Sequence, residues 1–303
     1  MMKFNKIVLV DNTGLIDEAK ENLKNYANEV VYFEASTKDD NKIIEKIGDA
    51  ECLLVSWDTV ISKKVIESCN NLKYIGLCCS LYGDESSNVE LRVAREHGIK
   101  FLGVNDYGDN GVIEYIIYEL VKLLHGFGEH QWKDVEREIT YQKIGIIGLG
   151  ATGIILARAL SLFGAEVYYY SRTRKLDIEN EINIKYLDLD ELLETVDIIS
   201  THLPKNSAIL NEEKFNKFGN NKILINTSIG ATFVVEDLKK WLENKNNYLI
   251  CDSVAFGEYE EEIKKTDNII YTNKPAARTY ETNMRLSKKV IENIETFLSG
   301  NCK

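Results

Sequence analysis

From Lys143 to Arg174 the chain reads KIGIIGLGATGIILARALSLFGAEVYYYSRTR. The apolar run Ile144 to Ile147 meets three glycines, Gly148, Gly150 and Gly153, at G-x-G-x-x-G spacing, and a helical apolar pattern from Ile154 to Phe163 follows at once. A second strand-like run, Glu166 to Tyr170, closes the unit. A strand, a tight turn, a helix and a further strand in this order constrain the chain strongly, because such a crossover lays the helix on one face of a parallel sheet.

Each glycine answers a different need. The first permits the tight turn, the second lets the backbone approach a pyrophosphate, and the third lets the helix pack closely on the strand. Phosphates then meet the free N–H groups of the turn and first helical residues, Gly150, Ala151, Thr152 and Gly153, at the positive end of the helix dipole. The expected ligand is a dinucleotide.

The end of the second strand distinguishes two dinucleotides. An acidic side chain there accepts from the ribose 2′-hydroxyl of NAD, whereas a 2′-phosphate needs cations and donors. Here the residues are Ser171, Arg172, Thr173 and Arg174, followed by Lys175, with no carboxylate among them. An arginine fork grips phosphate, and the two hydroxyls add donors, so the reading is NADP. A solvated basic loop is the alternative.

At 303 residues the chain is long for one core, and two domains are expected. Its 44% hydrophobic and 28% charged residues are those of an ordinary globular protein. A net charge of −11 argues against nucleic acid and against anionic membranes as partners. The N-terminal residues lead straight into a strand-like run without a signal-peptide pattern, and no apolar run is long enough to span a membrane, so a cytoplasmic location is expected. The six cysteines show neither zinc-ligand spacing nor C-x-x-C; no metal is expected, and those in apolar runs read as buried thiols.

Strand-like runs near 6–10, 30–33, 52–55, 74–78 and 100–102 alternate with helical patterns over the first hundred residues. A long helix over about 110–124, ended by Gly126-Phe127-Gly128, reads as a connector. A second alternating series then has strands near 144–147, 166–170, 198–200, 222–226, 248–251 and 268–271, and a last helix over about 279–298. This rhythm predicts an α/β chain whose parallel sheets are covered on both faces. Both prolines, Pro204 and Pro275, fall in loops after strands of the second series, where ligands of open α/β sheets sit.

Over nearly its whole length the chain resembles the D-isomer-specific 2-hydroxyacid dehydrogenase family. The resemblance rests on Leu72 to Leu77, Asn88-Val89-Glu90-Leu91, Glu96-His97-Gly98-Ile99, Asn105 to Gly108 leading to Val112-Ile113-Glu114-Tyr115, His202-Leu203-Pro204, and Ile225-Asn226-Thr227-Ser228. It implies two doubly wound, Rossmann-like domains, with a cofactor domain, 105–277, inserted into a substrate domain made of 1–104 and 278–303. It further implies that His202, Leu203, Pro204, Thr227 and Ser228 line the dinucleotide, and that Asp252 holds the nicotinamide carboxamide. A small-molecule substrate and a homodimer joined through the cofactor domain are implied as well, although the arm between His125 and Gln142 is short for that family.

The catalytic pattern departs from the family's. There an arginine holds the substrate carboxylate, a histidine gives the proton and a glutamate tunes the histidine; here Ile229 stands in the arginine's place, in Asn226-Thr227-Ser228-Ile229-Gly230. The histidine loop reads Thr272-Asn273-Lys274-Pro275-Ala276-Ala277-Arg278-Thr279, which puts Lys274 at the histidine position. The glutamate falls at Gly257, with Glu258 one place on, either a shifted partner or a surface acid beside Glu260 to Glu262. Lys274 reads as a proton donor, a phosphate contact or a solvated lysine, and Arg278 as a replacement carboxylate clamp or a surface cation. The expected function is hydride transfer from NADPH to a carbonyl or imine substrate; the alternative is a dinucleotide-binding sensor or scaffold without turnover.

Overall fold

The computed structural model describes residues 3–301 except 82, 85–86, 206, 257–260 and 262–265. Two compact units emerge, Met1–Tyr107 with Thr279–Lys303, and Gly108–Arg278, so the second is inserted into the sequence of the first.

The first unit carries strands β1 (Phe4–Leu9), β2 (Ala27–Tyr32), β3 (Cys52–Val55), β4 (Tyr74–Leu77) and β5 (Lys100–Leu102), all parallel, in the order β2-β1-β3-β4-β5. Alternation sorts its side chains between two cores. Val8, Leu53, Val55 and Ile75 pack on one face, and Ile7, Leu9, Leu54 and Tyr74 on the other. The last helix, Tyr280–Leu298, belongs to the second face through Leu286, Val290, Ile294 and Leu298, a stripe at four-residue spacing. It starts at Thr279, whose hydroxyl accepts from Thr282 N at 3.1 Å.

The second unit holds β6 (Lys143–Ile147), β7 (Glu166–Tyr170), β8 (Lys185–Tyr186), β9 (Ile198–Thr201), β10 (Ile223–Asn226), β11 (Tyr248–Cys251) and β12 (Ile269–Tyr271). They form one parallel sheet in the order β12-β11-β10-β9-β6-β7-β8, the doubly wound arrangement with its reversal between β6 and β9. Strands β9, β10 and β11 are buried at every residue, which explains why Ile198-Ile199, Ile223-Leu224-Ile225 and Leu249-Ile250 run on without polar alternation. Ile198, Ile223, Ile225 and Ile250 pack on one face; Ile199, Leu224 and Leu249 pack on the other.

The expected connector is part of the second unit. Helix Asp109–His125 buries Ile116, Leu120, Leu123 and Leu124 in the same core as Leu156 and Leu160 of helix Ala151–Leu162. Gly126 ends it in the left-handed conformation, φ 64°, which glycine adopts without strain. The five described cysteines are all buried, the four in or beside apolar runs as expected and Cys69 although Ser68 and Asn70 flank it. Among the described residues no helix is long and apolar enough to cross a membrane, and no group of three or more His, Cys, Asp or Glu residues is placed to hold a metal.

Candidate functional site

Strand register builds the site. Tyr170 pairs with Ile147, Ile147 with Thr201, Thr201 with Asn226, Asn226 with Cys251, and Cys251 with Tyr271. The next residue of each strand therefore falls in one row along the carboxyl edge: Ser171, Gly148, His202, Thr227, Asp252 and Thr272. At about 4.8 Å per strand this row spans roughly 24 Å. Positions scattered over a hundred residues of sequence thus share one edge.

At the reversal of strand order, Gly148 has φ +99°, and a Cβ there would lie 2.2 Å from the carbonyl oxygen of His202. A Cβ on Gly153 would lie 2.3 Å from the carbonyl oxygen of Gly148. Both positions are closed by backbone, which only glycine allows. Gly150 differs: a Cβ there meets no protein atom within 4 Å, so packing does not explain its glycine. Gly150 is also the N-cap of helix Ala151–Leu162 and supplies no side-chain cap. No described residue accepts from the N–H groups of 149–153, which leaves a cluster of donors at the positive end of a twelve-residue helix. The Thr152 hydroxyl donates to the Asp109 carboxylate beside it.

Beyond β7, the Ser171 hydroxyl donates to the Thr173 carbonyl at 2.6 Å and tightens the turn. Arg172 and Thr173 are exposed, and Arg172 has no ion pair or hydrogen bond to a described residue. Arg174 is engaged: its Nε and Nη2 donate to the two carboxylate oxygens of Glu179 at 2.7 and 2.8 Å. The pair of free arginines expected from the sequence is therefore one free and one bound.

The middle of the row is knit by polar bonds. Thr201 Oγ1 donates to Asn226 Oδ1 at 3.0 Å, and Asn226 Nδ2 donates to the carbonyls of Gly230 and Ala255 at 3.2 and 3.3 Å. Ser228 Oγ accepts from Leu203 N and donates to the Thr201 carbonyl, both at 3.0 Å. These bonds lock together the loops after β9, β10 and β11. Pro204 is exposed on the first of them. His202 Nε2 sits 3.0 Å from Ser200 Oγ, and desolvation lowers its imidazole to about 4, so it is neutral at physiological pH. Thr227 Oγ1 is buried without a partner among the described residues. An orphaned hydroxyl two strands along the row from the open donors of the glycine turn fits a polar ligand lying along the edge.

Asp252, next along the row, is 1% exposed, with Oδ2 accepting from Ala276 N at 2.7 Å and Oδ1 from Val254 N at 3.3 Å. It thereby ties β11 to the loop that carries Lys274 and Arg278. Both cations are exposed on that loop, and neither side chain bonds to a described residue. Burial raises the Asp252 carboxyl to about 6, only partly offset by its backbone donors. A raised acid is protonated in both states below about pH 4; the unfolded carboxyl then ionises first, so stability is lost as pH rises from about 4 to about 6 and the loss stays constant above that. At pH 7 this costs about 3 kcal/mol of stability. Asp252→Asn, which keeps an oxygen for Ala276 N–H, is expected to raise stability at pH 7 by up to that amount, with the gain vanishing below about pH 4. Urea midpoints across pH measure this; a pH-independent difference would show that the buried charge is not its cause.

Ile229 is 40% exposed on the loop after β10, an apolar side chain where the resemblance places a carboxylate-binding arginine. Tyr115 donates its hydroxyl to the Cys251 carbonyl at 2.7 Å, which makes it a packing residue of the second unit. Gly257 and Glu258 lie outside the described residues. Three contributors escaped the sequence reading: Asn226 as the polar hub, the Ser200–His202 pair, and Glu179. The Asn226-Thr227-Ser228 run marked the first, but no local signal in the sequence marks the partner of an arginine five residues upstream.

The NAD binding domain of D-isomer specific 2-hydroxyacid dehydrogenases matches residues 117–273, just over half of the chain. A hydroxypyruvate reductase of Blautia hydrogenotrophica is 27% identical, over 97% of each chain. A solved D-isomer specific 2-hydroxyacid dehydrogenase of a Polaromonas species superposes with a TM-score of 0.84 at 23% identity, covering 98% of this chain and 97% of that one. An acyclic imino acid reductase, solved with NADPH and D-Arg, gives a TM-score of 0.82 at 22% identity, covering 98% of both. By its inserted doubly wound unit, its glycine turn and these matches, the chain belongs to the D-isomer-specific 2-hydroxyacid dehydrogenase family.

Proposed function

We propose that the chain is an NADP-dependent oxidoreductase with an altered catalytic centre, acting on the carbonyl or imine carbon of a small molecule. The observation that carries this reading is the row along the carboxyl edge, from Ser171 and Gly148 to Thr227 and Asp252. The unpaired N–H groups of 149–153 would hold the pyrophosphate, with Ser171, Arg172 and Thr173 at the 2′-phosphate and His202, Leu203 and Pro204 along the middle. Thr227, Ser228 and Asp252 would meet the nicotinamide end. When bound, the dinucleotide supplies a hydride to the substrate carbon.

The remaining work falls to side chains of this chain. Lys274 is the candidate donor of a proton from Nζ to the carbonyl oxygen, and Asp252 holds its loop through Ala276 N. Ile229 cannot neutralise a carboxylate, which leaves Arg278 as the candidate anion clamp. An imine suits such a centre because it protonates readily and needs less polarisation than a keto group. The solved imino acid reductase of the same fold, with its NADPH, is compatible with that chemistry. Oxidation of NADPH with a panel of keto acids, aldehydes and imines tests the activity; failure of every substrate would favour the second reading, a dinucleotide-binding sensor without turnover, which the exposed Ile229 motivates.

The cofactor assignment has its own test. NADPH is expected to bind about 10- to 100-fold more tightly than NADH, the worth of charge-assisted bonds to a phosphate. Arg172→Asp is expected to narrow or reverse that gap in fluorescence titrations. Equal affinities in the unaltered protein would refute NADP.

A further inference from the structure

We propose that Glu179 is a specificity-determining residue of the cofactor site, restraining the preference for a 2′-phosphate by withholding Arg174 and leaving Arg172 as the contact. This rests on the NADP reading. Arg174 spends its fork on both oxygens of Glu179, at 2.7 and 2.8 Å. Tyr169, fully buried on β7, donates its hydroxyl to Glu179 Oε1 at 2.7 Å and accepts from Lys175 N at 2.7 Å. The Arg174 guanidinium also lies 5.6 Å from the centre of the Tyr186 ring on β8. Glu179 is thus fixed from two sides; its side chain is 12% exposed, against 56% for Arg174.

The consequence is electrostatic and geometric. A guanidinium chelated by one carboxylate has little left for a second anion, and Glu179 contributes a negative charge beside a loop that must attract phosphate. Arg174 with Glu179 is nearly neutral, so the attraction falls to Arg172, with Lys175 adding charge nearby. The Arg174 hydrogen bonds, followed by the Tyr169 hydroxyl, keep the Glu179 carboxyl ionised, lowering it to about 2; the pair therefore persists at any physiological pH. Holding the turn in shape is the other result, through Tyr169 and Lys175 N.

The experiment is a titration of NADPH and NADH into the unaltered protein, Glu179→Gln, Arg174→Ala, Arg172→Ala and the double variant Glu179→Gln/Arg174→Ala, at two salt concentrations, with melting curves confirming the fold. Glu179→Gln keeps an acceptor for Tyr169 but releases the charge of Arg174. The NADPH-to-NADH affinity ratio is expected to rise about tenfold, the scale of one charge-assisted bond, with steeper salt dependence. Arg174→Ala alone uncovers the Glu179 charge and is expected to lower the ratio, whereas the double variant removes both charges and is expected to return the ratio to within about threefold of the unaltered protein. An unchanged ratio in Glu179→Gln, or a double variant whose ratio falls as far as that of Arg172→Ala, overturns the proposal while leaving the NADP reading standing. A preference for NADH in the unaltered protein defeats that reading, whereas a Glu179→Gln shift toward NADPH would still uphold the role of Glu179.

Discussion

Lys274→Ala is expected to lower kcat by about 10²- to 10⁴-fold while leaving the affinity for the dinucleotide unchanged, the range a positioned general acid contributes. The expectation comes from placement. Lys274 sits on the loop after β12, exposed and without a partner among the described residues, in a segment whose backbone Asp252 grips at Ala276 and which turns back through Arg278 N to the Pro275 carbonyl at 3.0 Å. An amine held by its loop but free at its tip can give up a proton and be reloaded from water. Steady-state kinetics on the best substrate of the panel, with parallel dinucleotide titrations, measure both quantities. Retention of kcat within about threefold would show that the proton comes from elsewhere, and a fall in dinucleotide affinity would move Lys274 to the phosphate-contact role.

Gly148→Ala is expected to destabilise the protein by about 3 kcal/mol or more, since φ +99° is strained for alanine and the new Cβ meets backbone rather than a yielding side chain. The nearest atom, the carbonyl oxygen of His202 at 2.2 Å, is carried by the strand end after β9, so relief would require prising apart the two central strands. Gly150→Ala is the contrast. With ordinary φ −85° and no protein atom within 4 Å of its Cβ, it is expected to change stability by less than about 0.5 kcal/mol yet to weaken dinucleotide binding. Urea unfolding and ligand titration separate the effects; a stable Gly148→Ala protein would disprove the packing account, and unimpaired binding in Gly150→Ala would disprove the close-approach account.

Most strands could be read from the chain because short unbroken apolar runs, Ile198-Ile199 in β9, Ile223 to Ile225 in β10 and Tyr248 to Cys251 in β11, stand between polar and turn residues. Two features could not. Strand β8 is only Lys185 and Tyr186, too short for any period, and exists because Tyr168 and Tyr169 pair with those residues. Strand β2 begins at Ala27, three residues before its apolar run, because Phe4 at the start of β1 pairs with that residue. Helix Asp109–His125 was legible as a helix, but its membership of the second unit depends on Ile116 and Leu120 meeting Leu156 and Leu160.

The candidate site divides along the same line. The glycine turn was readable because its demands are local: a positive φ at Gly148, a close helix at Gly153 and open donors after Gly150 all arise within a few residues of chain. Amino-acid order alone thus determined what kind of ligand the inserted unit is built for, and that the arginine expected at Ile229 is missing. Tertiary structure decided the rest: which residues share the carboxyl edge, that Arg174 belongs to Glu179 and leaves Arg172 free, and that Asp252 carries the Lys274 loop. Those contacts join residues through strand register and through side chains folding back on the sheet, and neither leaves a periodic trace in the chain.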